Sequence, residues 1–257
     1  MRLAEAPRAK PADPAPRATL NHLYHEPQSR AHTCASCNVR DVCLPRGLAK
    51  EDVAALFDVR YAQQRVRAGH ALFRAGDAFG AIYAVRTGFL KSSVALGDGR
   101  DQVTGFHMAG EIVGLDGMGT GLHSLDVRAL EDSYACVIPR SRLCEPAMQP
   151  QLRKAMALEL VRDQGVMLLL GTMSADERLA AFLLNLSQRF LARGFASSDF
   201  HLRMTREEIA SYLGLTMETV SRLFSRFRGE GFIAVQQKHI RILDVDGLRA
   251  VMGRVTA

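Results

Sequence analysis

The sequence predicts an α+β chain in which an antiparallel β domain is followed by a long helix and a C-terminal winged helix-turn-helix. Three observations carry that reading. Twelve of the 21 glycines fall between residues 69 and 121, among short runs of alternating apolar residues. A heptad-like apolar series follows beyond Gln151, and two capping boxes then open helices toward the C-terminus.

Taken in order, residues 1–30 hold Pro7, Pro11, Pro14, Pro16 and Pro27, five of the nine prolines, among Ala and Arg. Such a stretch cannot bury a core and is predicted to be a disordered extension. It has no apolar core of a secretory signal, and no run approaches the ~20 apolar residues of a membrane span. The expected location is therefore cytoplasmic, where thiols stay reduced and serve more often as metal ligands or redox centres than as structural disulfides.

Residues 31–148 are predicted to form a cysteine loop and the β domain. Ala71-Leu72-Phe73, Ile82-Tyr83-Ala84-Val85 and Val103-Thr104-Gly105-Phe106 read as strands between turns, with a further strand from Tyr134 to Ile138 that carries Cys136. Residues 149–173 read as one helix, in which Met156, Leu160, Asp163, Met167 and Leu170 step 4, 3, 4, 3. That spacing is an a/d seam and predicts a homodimer helix. Asp163 is its oddity: either it sits solvated on the flank, or two carboxylates face each other across a two-fold axis and oppose association. Leu160, Asp163 and Met167 are the candidate dimer switch.

Residues 174–257 are predicted to form the DNA-reading domain. Ser174-Ala-Asp-Glu177 is a capping box opening a helix over 177–192, and Thr205-Arg-Glu-Glu208 is a second. Ile209, Leu213, Leu215, Val220 and Leu223 are spaced to pack two short helices, Gly214 permits the turn between them, and Thr216 caps the second. On that second helix Glu218, Ser221 and Arg222 share one face, and these are side chains that read base edges: Arg pairs guanine, Glu accepts from cytosine, Ser suits either. Arg226 and Arg228 extend the basic character toward phosphates. The competing reading is a solvated face with a Glu218–Arg222 ion pair at i, i+4. Phe232 to Leu243, alternating around Gln236-Gln237-Lys238, reads as a hairpin wing. With 33 Lys and Arg against 27 Asp and Glu, the net charge of +6 favours a polyanion, nucleic acid before anionic lipid.

Cys34, Cys37 and Cys43 are spaced C-x2-C-x5-C, and Cys136 lies 93 residues beyond Cys43. Four thiolates select zinc, iron–sulfur or copper(I). Structural zinc usually uses two tight pairs, whereas a cluster held by four cysteines tolerates an outlying ligand. Iron–sulfur, zinc and free redox thiols all remain open on spacing alone. Cys136 is the favoured fourth ligand because a strand fixes its position; Cys144, in a Ser-Arg-Leu-Cys-Glu-Pro stretch expected to be a turn or short helix, is expected to be semi-buried.

Nearly the whole chain resembles the fumarate and nitrate reduction regulators, the oxygen-sensing branch of the cyclic-AMP receptor protein superfamily. The resemblance lies in Cys34-Ala-Ser-Cys37 to Cys43-Leu-Pro45, Ile82-Tyr83 to Gly88, Thr104-Gly-Phe-His-Met-Ala-Gly-Glu111, Cys136-Val-Ile-Pro139, Glu177-Arg-Leu-Ala-Ala-Phe182 and Tyr212-Leu-Gly-Leu-Thr to Glu218-Thr-Val-Ser-Arg222. It implies a β-roll sensor domain and a [4Fe-4S] cluster on Cys34, Cys37, Cys43 and Cys136, assembled without oxygen and lost in air. It also implies a homodimer on a TTGAT-N4-ATCAA type of site, an aspartate at the position of Asp163, a base-reading triad of Glu218, Ser221 and Arg222, and contact with RNA polymerase through a loop such as Leu96 to Asp101.

Two alternatives set bounds on this. In the cyclic-nucleotide relatives a glutamate and an Arg-Ser or Arg-Thr pair hold the ribose and phosphate, but here no Arg stands beside Ser124, so no cyclic nucleotide is expected. An iron–sulfur or thiol enzyme with a DNA-binding appendage finds no support, because the chain has neither a Walker A nor a dinucleotide fingerprint. His22 and His25 are the one close histidine pair; His107 and His123 are expected to be surface or satisfied core residues.

Overall fold

The computed structural model describes residues 33–48, 51, 53, 61–97 and 99–253, all within the unit Ala31–Ala257. The expected extension over 1–30, with His22 and His25, lies outside the described residues.

Two short 3-10 turns, Cys34–Ser36 and Arg40–Val42, carry the first cysteines. Eight strands follow: β1 Gln63–Val66, β2 Ala71–Phe73, β3 Ala81–Thr87, β4 Phe89–Ala95, β5 Asp101–Met108, β6 Ile112–Val113, β7 Asp126–Ala129 and β8 Ser133–Pro139. They form two antiparallel sheets, ordered β1-β8-β3-β6 and β2-β7-β4-β5, which enclose Val85, Leu90, Val127 and Ala135 between them. The middle strands do not simply alternate. β3 and β4 are both mostly buried because their outer faces are covered as well. Ile82, Ala84 and Ile138 pack outward with Leu44 and Leu152, while Phe89, Val103 and Phe106 join a core shared with the C-terminal helices.

Helix α1, Arg140–Leu143, leads into α2, Gln149–Thr172. Leu152 and Leu169 of α2 are buried, yet Met156, Leu160, Val161, Met167, Leu168 and Leu170 are exposed. A helix apolar on both sides is built for burial on both sides, and here only one is covered. Helix α3, Ala175–Leu191, opens two residues earlier than the sequence predicts, with both arms of the Ser174–Glu177 capping box formed.

Helices α4, Arg206–Leu213, and α5, Met217–Gly229, follow the second capping box. Between them Gly214 adopts φ 62°, the left-handed conformation glycine takes most cheaply, and Thr216 accepts the Thr219 N–H. The wing is larger than its predicted hairpin. β10, Ile233–Gln236, and β11, His239–Ile242, pair across Gln237 at φ 56°, and β11 also pairs with β9, Asp199–His201. β9 is too short for its alternation to register in the sequence. Helix α6, Val245–Met252, closes the described chain. Among the described residues no helix is long and apolar enough to cross a membrane.

Candidate metal centre and nucleic-acid interface

Sheet register decides which cysteines meet. Cys136 stands on β8 opposite Gln63 of β1 and Ala84 of β3, at the centre of its sheet. The 3-10 turns lay Cys34, Cys37 and Cys43 over that strand, so all four line one small pocket walled by Val39, Leu44, Tyr61 and Ile138. Cys144 caps α1 and is exposed rather than semi-buried; it lines a different cleft, beside Phe79 and Met156.

Burial, with charge on Cys136 and Cys37, pushes the Cys34 thiol up to about 11. Burial pushes Cys43 up to about 12; a hydrogen bond from the Leu44 amide works against this, and charge on Cys34, Cys136 and Cys37 adds to it. Cys136 is also raised, by burial and by Cys37, with Arg86 opposing. These groups resist ionising together because each thiolate would repel the next in a poorly hydrated space. A soft cation reverses that logic and displaces the protons. Among the described residues no group of three or more His, Cys, Asp or Glu is gathered so as to hold one metal ion. The donors are thus chemically suited to soft metal, and they line a shared wall rather than surround one point.

Helix α5 presents Glu218, Ser221 and Arg222 to solvent, while Val220, Leu223, Phe224 and Phe227 face the core. The ion pair of the competing reading, Glu218 with Arg222, is not formed among the described residues; Arg222 Nη2 instead lies 3.4 Å from the Thr219 hydroxyl. Arg226 does not stand free, for its guanidinium meets Asp176 at 2.5 Å and Glu230 at 3.4 Å, tying α5 to the first turn of α3. Sequence reading missed Arg206. Its guanidinium stacks 3.3 Å from the centre of the Phe224 ring, and burial lowers its pKa to about 10. Its Nη1 is buried with no hydrogen-bond partner among the described residues, and Arg206 lines a cleft with Ser221, Ser225 and Arg228.

His107 and His123 are satisfied core residues. His107 lies between Ser92 Oγ at 3.0 Å and Arg162 Nη1 at 3.4 Å; because arginine can only donate, its Nδ1 accepts and its Nε2–H donates. Burial, with Arg162 and Arg189 nearby, lowers its pKa to about 3 despite Glu111, so it stays neutral. His123 stacks 3.8 Å from Phe73 and contacts Asp116. That Asp116 carboxylate also accepts the Ser124 and Leu125 amides, at 2.7 and 3.2 Å.

Residues 63–145 match a cyclic nucleotide-binding domain and residues 177–251 a Crp-like helix-turn-helix domain. The chain is 45% identical over 226 residues to the transcriptional regulatory protein btr of Bordetella pertussis, covering 86% of this chain and 93% of that protein. It is 46% identical over 232 residues to the transcriptional activator protein Anr of Pseudomonas protegens, covering 87% and 95%. With the fumarate and nitrate reduction regulatory protein of Salmonella typhimurium it shares 41% over 225 residues, 86% of this chain and 90% of that one. The chain belongs to the fumarate and nitrate reduction regulator family. Its fold also matches the solved structure of FixK2 from Bradyrhizobium japonicum, with a TM-score of 0.68 and 29% identity over 75% of this chain and 98% of that one. As a member of this family it is a DNA-binding transcription regulator and not an enzyme.

Proposed function

We propose that this regulator responds to oxygen through a [4Fe-4S] cluster held by Cys34, Cys37, Cys43 and Cys136, and binds a TTGAT-N4-ATCAA type of site as a homodimer. What carries the reading is the pocket: four thiols from two distant stretches share one largely apolar wall, where burial and the neighbouring thiols push Cys34, Cys43 and Cys136 up. When bound, such a cluster supplies an oxygen-labile link between the cysteine loop and β8.

The residues then do the rest. Cys34, Cys37 and Cys43 draw their turns onto β8, and the loop, which packs beside α2 through Leu44 and Leu152, supports that helix. The exposed Met156, Leu160, Met167 and Leu170 stripe supplies the apolar part of a dimer seam, and Asp163, exposed within it, opposes closure. Support from the loop offsets that repulsion, so association is a population shift biased by the state of the thiols. Two reader helices set about 34 Å apart then span one turn of DNA. Glu218, Ser221 and Arg222 read base edges, while Arg206 and Arg228 face phosphate. Arg226 first serves to brace α5 against α3. The β4–β5 tip, where Leu96 is exposed, is the contact for RNA polymerase.

Cyclic nucleotide is not its effector. The amides of Ser124 and Leu125 are taken by the Asp116 carboxylate, which would repel a phosphate at that place.

The test is anaerobic purification with iron and sulfide assay and a visible spectrum. Four irons and four sulfides per chain are expected, with loss in air. One zinc per chain after anaerobic reconstitution would overturn the oxygen-sensor reading.

A further inference from the structure

Glu111 sits at the turn after β5 and is nearly buried, yet its carboxylate meets three guanidinium groups, from α2, from α3 and from just beyond α3. Arg189 of α3 grips it with both Nε, 3.0 Å from Oε1, and Nη2, 2.6 Å from Oε2. Arg193, just beyond α3, donates from Nη2 to Oε1 at 2.7 Å, and Arg162 of α2 approaches Oε2 at 3.2 Å. The same arginines also fix the backbone around it: Arg189 donates to the Phe106 carbonyl and Arg193 to that of Ala109, each at 2.6 Å. One carboxylate thus joins the β-roll, the dimer helix and the first helix of the DNA-reading part.

The residue before it touches the cysteine loop. Gly110 holds φ 89°, and a Cβ placed there would stand 2.5 Å from Val42 Cγ2 and 3.1 Å from the Val42 carbonyl. Val42 immediately precedes Cys43, and Cys43 and Glu111 line one cavity of about 320 Å³ with Arg46 and Lys154. A shift of Cys43 is therefore a shift of the surface on which the 110–111 turn rests. A buried carboxylate cannot drift far from its half-buried arginines without being left unpaired, so this joint has closed and open states rather than a continuum.

We infer that Glu111 is a positioning residue that passes the state of the cysteine loop to the helix-turn-helix within one subunit, through Val42 and Gly110 to Arg189 and Arg193, rather than through the seam positions Leu160, Asp163 and Met167. The inference rests on the proposed role of the cysteine loop. Dimerisation sets the spacing of two readers; the Glu111 joint sets how each reader is held on its own sensor. Two routes driven by one loop make DNA binding steeper in the signal than association is.

The experiment compares wild-type, Glu111→Gln and Val42→Ala full-length proteins, purified anaerobically. Each is assayed for iron and sulfide, for mass by size exclusion with light scattering, and for affinity to a TTGAT-N4-ATCAA duplex at concentrations where it is dimeric. Hydrogen exchange is followed in peptides covering residues 106–111 and 185–193. Both variants should load iron and dimerise as the wild type does, yet bind the duplex about tenfold more weakly, a typical coupling between sites. Exchange over 185–193 should slow on iron loading in the wild type and lose that response in Val42→Ala. Unchanged affinity and exchange in both variants would overturn the inference, as would affinity lost only in proportion to dimer lost. If Glu111→Gln does not fold, Val42→Ala, which leaves the ion cluster intact, decides alone. A wild type without iron would instead defeat the cluster reading, and the affinity and exchange of Glu111→Gln would still judge the joint.

Discussion

The cysteine pocket and the Glu111 cluster lie side by side, and both bury ionisable groups, but they settle their charges in opposite ways. At Glu111 opposite charges meet within the chain. Burial pushes its carboxyl up, yet Arg189, Arg162 and Arg193 outweigh that and hold it at about 2. In the pocket, groups of one kind crowd together, and burial and mutual repulsion push Cys34 and Cys43 to about 11 and 12. The first cluster is balanced within the chain, whereas in the second the counter-charge would come from the proposed metal. The proposed joint and the proposed sensor thus differ in whether the chain supplies its own counter-charge.

The largest effect should come from breaking the cysteine cluster. Cys136→Ala should abolish iron binding, while Cys144→Ala, exposed and facing another cleft, should leave iron content unchanged by assay. The reverse pattern would overturn the ligand assignment. For the Glu111 cluster, acid is the probe. Glu111 has its folded pKa depressed, so its contribution is present above the unfolded value near 4.5 and is lost as pH falls toward 2. Urea unfolding of wild type against Glu111→Gln should show a gap on the order of 3 kcal/mol near neutral pH that closes in acid. A gap constant from pH 6 to pH 2 would argue that packing rather than charge holds the joint. The smallest effect separates association from sensing. Asp163→Ala removes a seam repulsion of about 1 kcal/mol or more and should give a dimer in air by size exclusion, leaving the Glu111 joint untouched. A persistent monomer would count against the seam argument.

Much of the fold was legible because its signals are local. Ser174 with Glu177 and Thr205 with Glu208 form both arms of their capping boxes, and Gly214 takes the left-handed turn that its place between two helices demands. The third wing strand was not legible, since three residues of β9 carry too little alternation. Arg226 read as a phosphate contact until Asp176, from another helix, proved to hold it. Glu111 gave no signal because Arg189 lies 78 residues away and Arg193 82, so no spacing rule connects them.

By itself, then, the sequence determined the helices, their caps, the exposed face of Glu218, Ser221 and Arg222 and the soft-ligand chemistry of the thiols, because each follows from residues a few positions apart. Only the tertiary structure decided that Cys136 rather than Cys144 shares the pocket, and that one carboxylate ties sensor, dimer helix and reader together. Those choices depend on strand register and on how two cores meet along Phe89, Phe106 and Phe182, where contact is set by packing across the chain rather than by distance along it.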